Sequence, residues 1–355
     1  MLYRKYRPQD FSQVVGQDHV VKTLQGALET GRIAHAYLFC GPRGTGKTTL
    51  ARIMAKALNC EKRGKDGNPC GVCVSCQAVA NGSSLDLIEI DAASQTGVDN
   101  IRELTDSAMV AASGGKYKVF LIDEVHMLSK SAFNALLKTL EEPPMHVVFI
   151  LATTEPHKIL ATVLSRVQRF DFRRLSKADI ITKLKEIASA EKFSIDDEAL
   201  SAIATSADGA LRDAEVALTK VRAMIPEGAI TGKQMAEVLG LIPSSYHPQF
   251  LTAILAGDKA SAVALIHEIH DSGLDLENFA KEFLDFSRKA LLARINPATL
   301  TAIEGAGTEQ KFAQFASADQ RKLIKIINLF TAARSQVKTS PIPQLPLELA
   351  VMEVE

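Results

Sequence analysis

Short, almost wholly apolar segments alternate with longer segments of helical periodicity over the first half of the chain. Each apolar segment has the length of a strand, and such uninterrupted apolar character is expected where helices cover both faces of a parallel sheet. The segments between them are long enough for crossover helices, and after Lys47 the apolar residues recur at intervals of three and four positions. This pattern predicts an α/β domain with a doubly wound parallel sheet. The predicted strands are 36–40, 85–90, 118–123, 147–153 and 168–172.

The periodicity changes at residues 173–176, and strand signals nearly vanish after that point. Ser176 followed by Asp179 resembles a capping box and predicts a helix over 177–190. Further helical patterns follow at 196–207, 210–224 and 232–239.

The chain has 355 residues, more than one compact core usually requires, so two or three domains are expected. Pro243 and the pair His247-Pro248 predict a linker before a second helical region at 249–338. We therefore predict three domains: an α/β domain at 1–174, a small helical domain at 175–241 and an all-α domain at 242–355.

The composition is that of an ordinary globular protein, with 46% apolar and 23% charged residues. The longest apolar run, 147–152, is far shorter than the roughly 20 residues that span a bilayer. The N-terminus is basic but no apolar stretch follows it, so it does not resemble a secretory signal. We expect a cytosolic protein that does not contact the membrane.

Formal charges balance, with 41 basic and 41 acidic residues, and so the overall charge indicates no nucleic-acid partner. Residues 1–60 contain nine Lys/Arg and three Asp/Glu and are locally basic. This excess is as compatible with an ordinary basic face as with a phosphate-binding surface.

Residues 41–48, GPRGTGKT, match the phosphate-binding pattern G-x-x-x-x-G-K-[ST]. They follow a predicted strand and open a predicted helix, which is the context that the pattern requires. Glycines allow backbone N–H groups to surround phosphates, and the start of the helix adds partial positive charge. Lys47 would contact the β- and γ-phosphates of a bound nucleotide, and the Thr48 hydroxyl would bind Mg²⁺. The predicted nucleotide contacts here are Gly41, Pro42, Arg43, Gly44, Thr45, Gly46, Lys47, Thr48 and Thr49.

A second half of such a site is predicted at Asp123 and Glu124. Four apolar residues, 119–122, bring Asp123 to the carboxyl end of a buried strand, where open α/β sheets bind ligands. Asp123 would bind Mg²⁺, and Glu124 would act as the general base that polarises the attacking water. In isolation, an Asp-Glu pair after an apolar strand is also common in exposed turns.

Cys60, Cys70, Cys73 and Cys76 form the spacing C-x₉-C-x₂-C-x₂-C within a polar, loop-like segment. Four thiolates at short spacing in a reducing compartment suit a structural Zn²⁺ site at 60–76 with no open position for catalysis. An iron–sulfur cluster and free thiols are the alternatives. Cys40 lies outside the spacing, within a predicted strand, and is interpreted as a buried apolar residue.

Five further segments extend these motifs, and in their order along the chain they resemble the AAA+ superfamily and, within it, the bacterial DNA polymerase III gamma/tau family. They are RKYRP at 4–8, VVGQ at 14–17, HAYLF at 35–39, DEVHML at 123–128 and LLKTLEEPP at 136–144. The resemblance is strong over 1–240 and weak over 241–355, where it depends mainly on LPLE at 345–348.

The resemblance implies roles for further residues. Arg166, after Ser165, would be an arginine finger that acts on ATP bound by a neighbouring subunit. The family usually has Cys at the next position, where this chain has Val167, and the guanidinium chemistry is unaffected. Arg212, in the segment GALRD, would contact the γ-phosphate from a helical lid. The polar sensor at a strand end would be one of Thr153 and Thr154, of which Thr154 is favoured. The expected adenine contacts are Tyr6, Arg7, Pro8, Val14 and Val15.

The family implies an ATP-driven motor subunit of the DNA polymerase III clamp loader in the bacterial cytoplasm. Its second and third domains would be the lid and an oligomerisation collar, and its cofactors would be ATP, Mg²⁺ and a structural Zn²⁺. Its partners would be the other clamp-loader subunits in a ring, expected to be a pentamer, together with the sliding clamp and primed DNA. The expected DNA contacts are Arg102, Lys138 and Lys158.

Two alternatives remain at this point. A branch-migration or remodelling motor shares the phosphate loop, arginine finger and sensors, but the cysteine spacing, the EEPP segment and the helical third domain disfavour it. A nucleotide-binding scaffold that never hydrolyses ATP is disfavoured by the presence of Lys47, Thr48, Asp123 and Glu124.

Overall fold

Five parallel strands form one sheet in the computed structural model, which describes residues 1–226, 228–240, 242–243, 245–304, 310 and 312–354. The sheet order is β2-β3-β4-β1-β5, and every neighbouring pair is parallel. The predicted α/β domain with a parallel sheet is therefore confirmed. The strands are β1 (Ala36–Cys40), β2 (Leu87–Asp91), β3 (Lys118–Asp123), β4 (Val147–Thr153) and β5 (Gln168–Asp171).

Helices cover both faces of this sheet. Successive residues of a strand point to opposite sides, so the apolar strands present buried side chains on both faces. Tyr37 and Phe39 of β1 pack on the face covered by α2 (Asp18–Thr30) and α3 (Lys47–Leu58). Leu38, between them, packs on the opposite face. The helices on that face are α5 (Val98–Ala108) and α6 (Lys130–Glu141). The shorter helices of this region are α1 (Leu2–Lys5), α4 (Val74–Asn81) and α7 (Ala161–Leu164).

The two edge strands depart from the uniform burial that the sequence suggested. Of their residues, only Ile90 in β2 and Phe170 in β5 are buried. An edge strand has one neighbour instead of two, and so the helices cover it less completely. The central strands β1 and β4 are buried along their whole length.

Three helices follow the sheet in the same compact unit, which spans Met1–Gly232. They are α8 (Lys177–Ala190), α9 (Asp197–Ser206) and α10 (Leu211–Met224). The predicted capping box is confirmed: the Asp179 N–H donates to the Ser176 hydroxyl oxygen, and the Asp179 carboxylate accepts from the Ser176 N–H. The proposed division of this unit near residue 175 stays a prediction.

The second compact unit, Lys233–Glu355, is helical throughout its described part. Its core contains Phe250, Phe283 and Phe330, whose ring centroids lie 4.8 to 5.6 Å apart in edge-to-face contacts. The helices are α11 (Gly232–Leu239), α12 (Tyr246–Ala256), α13 (Lys259–Asp271), α14 (Leu276–Ile295), α15 (Pro297–Glu304), α16 (Gln320–Val337) and α17 (Leu345–Glu353).

The linker predicted at His247-Pro248 is wrong. Both residues lie in the first turn of α12, and His247 is buried between the rings of Phe279 and Phe286. Proline is tolerated there because the first N–H groups of a helix have no partner within it. In the described part of the chain, no helix is both long enough and apolar enough to cross a bilayer.

Candidate nucleotide-binding site

The phosphate-loop motif joins the carboxyl end of β1 to the start of α3, as the sequence predicted. Gly41 and Gly44 have positive φ angles of 148° and 77°, which L side chains rarely adopt. A Cβ at Gly41 would lie 2.5 Å from the carbonyl oxygen of Phe172, and one at Gly44 would lie 2.9 Å from the Cβ of Ala210. Glycine is therefore required at these positions both by backbone conformation and by packing.

Lys47 is buried at the base of this loop. Its Nζ donates hydrogen bonds to the carbonyl oxygens of Gly41 at 2.7 Å and Pro42 at 2.9 Å. Burial lowers the pKa of the ammonium group, and the nearby carboxylates of Glu124 and Asp123 oppose that change. Lys47 thus places its charge within the loop, next to both predicted acidic residues.

The two residues predicted to bind Mg²⁺ are in direct contact. The Thr48 hydroxyl, in the first turn of α3, donates to Asp123 Oδ2 at 2.7 Å. Asp123 is the last residue of β3, and the carboxyl ends of parallel strands meet at the same edge of the sheet. A hydroxyl and a carboxylate are the oxygen ligands that Mg²⁺ prefers, so these residues fit the ion.

Glu124 adopts a left-handed backbone conformation, with φ 48° and ψ 44°. Its Oε2 accepts hydrogen bonds from the N–H of Thr154 at 3.2 Å and from the Thr154 hydroxyl at 2.9 Å. A non-glycine residue in this region is uncommon and is often found at functional sites. The structure therefore brings the predicted base and the predicted sensor residue together.

The N-terminal segment also reaches the phosphate-loop helix. Arg7 Nε donates to the Thr49 hydroxyl at 3.1 Å, and burial lowers the pKa of its guanidinium group. The Tyr6 hydroxyl, by contrast, donates to Glu191 at the end of α8. Pro8, Val14 and Val15 are half-buried. Their contact with adenine stays a prediction.

Arg212 lies close to the phosphate loop at the start of α10. Its guanidinium lies 5.1 Å from the ring centroid of Tyr3, and its Cβ would be 3.6 Å from a Cβ at Gly44. The turn before it contains Gly209, where a Cβ would lie 2.6 Å from the Cβ of Arg174. This placement is compatible with the predicted contact to the γ-phosphate.

Arg166 has a different set of contacts. Its guanidinium donates to the carbonyl oxygen of Thr162 at 2.6 Å and to Ser165 Oγ at 2.9 Å, and it pairs with Glu141 at 2.8 Å. Its side chain is about one third exposed. These partners lie outside the phosphate loop, so Arg166 is not assembled with the residues of its own site.

Gln17 and His126 also belong to the site, although the sequence predicts no catalytic role for either. Buried Gln17 donates to the carbonyl oxygen of Arg173 at 2.7 Å and accepts from its N–H at 3.1 Å, and this pairing fixes the chain that leaves β5 beside the phosphate loop. His126 contacts Thr153 and Glu155. Both residues lie in segments that resemble the family, and that was the only available signal.

The four predicted metal ligands converge at a separate place, after α3 and around the start of α4. The sulfur atoms of Cys60, Cys70, Cys73 and Cys76 all lie within 4.8 Å of one another. Backbone N–H groups of Val72 and Cys73 lower the pKa of the Cys70 thiol to about 6. The cluster can therefore hold a metal ion, and a tetrahedral four-sulfur donor set fits zinc. Cys40 is buried in β1, and burial raises its pKa to about 11.

The three predicted DNA contacts are all exposed, on α5, on α6 and in the turn Pro156–Lys158. Arg102 pairs with Asp99 at 3.1 Å, and Lys158 pairs with Glu155 at 2.8 Å. Their role at DNA stays a prediction.

Three family models match successive parts of the chain. Residues 16–176 match the model described as DNA polymerase III, delta subunit. Residues 179–218 match the ATPase lid domain of the DNA polymerase III clamp loader subunit. Residues 230–354 match domain III of the DNA polymerase III subunits gamma and tau.

Similarity to curated proteins extends over nearly the whole chain. The chain is 38% identical to the DNA polymerase III subunit gamma of Buchnera aphidicola, over 99% of this chain and 97% of that protein. It is 41% identical to the subunit tau of Bacillus subtilis, over 99% of this chain and 62% of that protein. It is 43% identical to the subunit tau of Escherichia coli, over 84% of this chain and 46% of that protein. The chain thus spans about half to two thirds of these tau proteins.

Solved structures of similar fold include the RuvB Holliday junction branch migration motor of Thermotoga maritima. Its comparison with this chain gives a TM-score of 0.51 at 21% sequence identity, and the match covers 70% of this chain and 79% of RuvB. At this identity the likeness concerns the fold alone, and together with the match to the ATPase lid domain it confirms the AAA+ fold. The near-complete match to the Buchnera subunit and the lid and gamma/tau domain models together show that this chain belongs to the DNA polymerase III gamma/tau family.

Proposed function

We propose that this chain binds and hydrolyses Mg-ATP as a motor subunit of a DNA polymerase III clamp loader. The observation that favours this most is the convergence of Lys47 and two contacting pairs at one edge of the sheet. Lys47 begins α3 directly after the phosphate loop, Thr48 contacts Asp123 at the end of β3, and Glu124 contacts Thr154 just after β4.

Each group would have one task in ATP hydrolysis. Backbone N–H groups of the phosphate loop and the Lys47 ammonium would bind the phosphates. Thr48 and Asp123 would hold Mg²⁺, which supplies charge neutralisation at the β- and γ-phosphates. Glu124 would accept the proton of the attacking water, and Thr154, which holds its carboxylate, would orient it.

The arginine finger is proposed to act between subunits. Arg166 pairs with Glu141 at the end of α6 and contacts no residue of its own phosphate loop within the described chain. Its side chain is partly exposed and could turn toward an adjacent subunit. Each nucleotide site would then be complete only when a neighbour supplies its arginine.

We infer a hetero-oligomeric ring of five subunits in the bacterial cytoplasm, in which ATP binding opens the sliding clamp and hydrolysis releases clamp and DNA. Arg102, Lys138 and Lys158 are exposed cations that could contact the phosphate backbone of primed DNA. The second compact unit would form the oligomerisation collar.

The cysteine cluster is proposed to bind one structural Zn²⁺. Its four sulfur atoms are close enough for a single ion, since sulfur ligands lie about 2.3 Å from zinc. Four protein ligands leave no position for water, so this site would stabilise the fold and take no part in hydrolysis.

A branch-migration motor is the rival with the same sheet and phosphate loop. The likeness to RuvB, at 21% identity, concerns the fold alone. The match of residues 230–354 to gamma/tau domain III and the cysteine cluster both favour the clamp-loader interpretation. A scaffold that never hydrolyses ATP is disfavoured because Thr48 contacts Asp123 and the proposed base Glu124 is held by Thr154.

The proposal is tested by the ATPase rate of the assembled complex, measured with and without primed DNA and sliding clamp. We expect hydrolysis that primed DNA and clamp together stimulate. A rate that responds to a four-way junction but is indifferent to clamp and primed DNA would instead favour the branch-migration motor. No hydrolysis under any condition would favour the scaffold.

A further inference from the structure

His126 lies beside the proposed general base, in the short turn Val125–Met127 that follows Glu124. Its side chain is only 6% exposed. The Nδ1 atom lies 3.0 Å from the hydroxyl oxygen of Thr153, the last residue of β4. The same atom lies 3.5 Å from Glu124 Oε2. The imidazole therefore joins the ends of β3 and β4 next to the carboxylate of Glu124.

The oxygen of Glu124 that faces His126 is also the one held by Thr154. Glu124 Oε2 accepts from the Thr154 N–H and hydroxyl at 3.2 and 2.9 Å. Thr154, which directly follows β4, and the ring of His126 thus lie next to the same carboxylate oxygen. A carboxylate at the end of a flexible side chain has several rotamers, and contacts of this kind select one of them.

The second ring nitrogen faces away from Glu124. Nε2 lies 3.3 Å from Glu155 Oε1, and Glu155 in turn pairs with Lys158 at 2.8 Å. The N–H of Glu155 donates to the same Thr153 hydroxyl oxygen that contacts Nδ1, at 2.9 Å. Both ring nitrogens therefore have polar neighbours, and Glu124 lies on the Nδ1 side.

Other roles for His126 fit the structure less well. A zinc-type site is disfavoured because, in the described part of the chain, the four cysteines are the group of three or more His, Cys, Asp or Glu side chains close enough to share a metal ion, and His126 is not among them. A contact with a partner is disfavoured because the side chain is almost completely buried.

We propose that His126 is a positioning residue for Glu124, and that it acts through its Nδ1 atom. The inference rests on the proposed ATPase activity. By closing the space beside Glu124 Oε2, the imidazole keeps the carboxylate where it can accept the proton of the attacking water. A displacement of about 1 Å in such a group can reduce the rate by about 10²-fold.

Two substitutions of His126 distinguish the role of Nδ1 from that of Nε2. Asparagine places a polar atom at the position of Nδ1, whereas glutamine places one at the position of Nε2. The experiment measures kcat, and the affinity for a fluorescent ATP analogue, in assembled complexes with His126→Asn, His126→Gln or His126→Ala in this chain. The wild-type complex and a Glu155→Gln complex are the controls.

We expect His126→Ala and His126→Gln to lower kcat by about 10- to 100-fold. We expect His126→Asn and Glu155→Gln to stay within about threefold of the wild-type kcat, and all four to bind the ATP analogue within about twofold of wild type. A structural role alone would not distinguish asparagine from glutamine in this way.

Three results would overturn the inference while leaving the proposed function intact: an undiminished kcat for His126→Ala, equal rates for the asparagine and glutamine variants, or a loss confined to ATP affinity. A wild-type complex without ATPase activity would overturn both the inference and the proposed function.

Discussion

The Thr48 hydroxyl donates a hydrogen bond of 2.7 Å to the carboxylate of Asp123, although 75 positions separate the two residues in the chain. The sheet order brings them together: β3 and β1 flank β4, and all three strands are parallel. Their carboxyl ends therefore meet at one edge, where the loops after them can share a ligand. The site follows from this arrangement.

Lys47 is expected to be indispensable for ATP binding. Lys47→Ala removes the one buried cation of the phosphate loop, so the phosphates would lose their main charged partner. Titration with a fluorescent ATP analogue should show no saturable binding. Lys22→Ala, on α2, is the control and should bind as wild type does. Unchanged affinity in Lys47→Ala would contradict the assignment.

Glu124 is expected to be necessary for turnover but not for binding. Glu124→Gln keeps the shape and one acceptor oxygen for Thr154, but the amide cannot accept a proton from water. The complex should bind ATP with an affinity close to that of wild type and lose at least about 10²-fold in kcat. An undiminished hydrolysis rate would show that another group is the base.

Much of this site could be predicted from the chain alone. The phosphate loop, Asp123 and Glu124 are local motifs whose chemistry depends on the element that precedes them, and apolar runs identify those elements. The predicted strand at 118–123 agrees with β3 at both ends. The predicted strand at 85–90 differs from β2 by two residues at its start and one at its end, because Leu85 is exposed and Asp91 still pairs with Asp123.

The remaining features depend on contacts between distant segments. His126 and Gln17 are single polar residues whose partners, Thr153 and Arg173, lie far away in the chain. Periodicity and local motifs do not report such pairs. The error at His247-Pro248 has a similar cause: proline usually marks a boundary, but here it lies in the first turn of α12, where no helical hydrogen bond is lost.

The metal content provides an independent test of the cysteine cluster. We expect one zinc ion per chain, because four sulfur atoms within 4.8 Å of one another fit a single tetrahedral ion. Chelation should loosen the 60–76 segment but preserve ATP binding, since α3 ends at Leu58, before the first ligand. Metal analysis of Cys73→Ser should show loss of zinc, and that of Cys40→Ala should not. Iron, or no metal, in the wild-type protein would contradict the assignment.

Glu215 gives the first compact unit a specific pH dependence. Burial raises the pKa of this carboxyl from 4.5 to about 7, and the charges of Lys183 and Arg7 oppose the rise. Between pH 4.5 and about 7, the folded state therefore binds more protons than the unfolded state. The contribution of Glu215 to the free energy of unfolding consequently falls as pH rises through this range. The loss is on the order of 3 kcal/mol.

Glu215→Gln isolates this effect, because the amide has nearly the same shape and does not titrate. Chemical unfolding at pH 5 and pH 8 should show that the variant gains stability relative to wild type at the higher pH. An equal difference between variant and wild type at both pH values would show that Glu215 titrates normally in the folded protein.

If a neighbouring subunit completes each nucleotide site, Arg166 must act on ATP that is bound by the adjacent subunit. The decisive measurement is the ATPase rate of individual sites in complexes in which one subunit carries Arg166→Ala or Lys47→Ala. Arg169→Ala, in the exposed edge strand β5, is the matched control. An arginine that stabilises the transition state contributes about 10³–10⁵ in rate.

We predict that Arg166→Ala leaves ATP affinity nearly intact and stops hydrolysis in the adjacent site, whereas Lys47→Ala disables the site of its own subunit. Hydrolysis by the isolated chain at the rate of the assembly, or a loss confined to the site of the subunit that carries Arg166→Ala, would show that each site is complete within its own subunit.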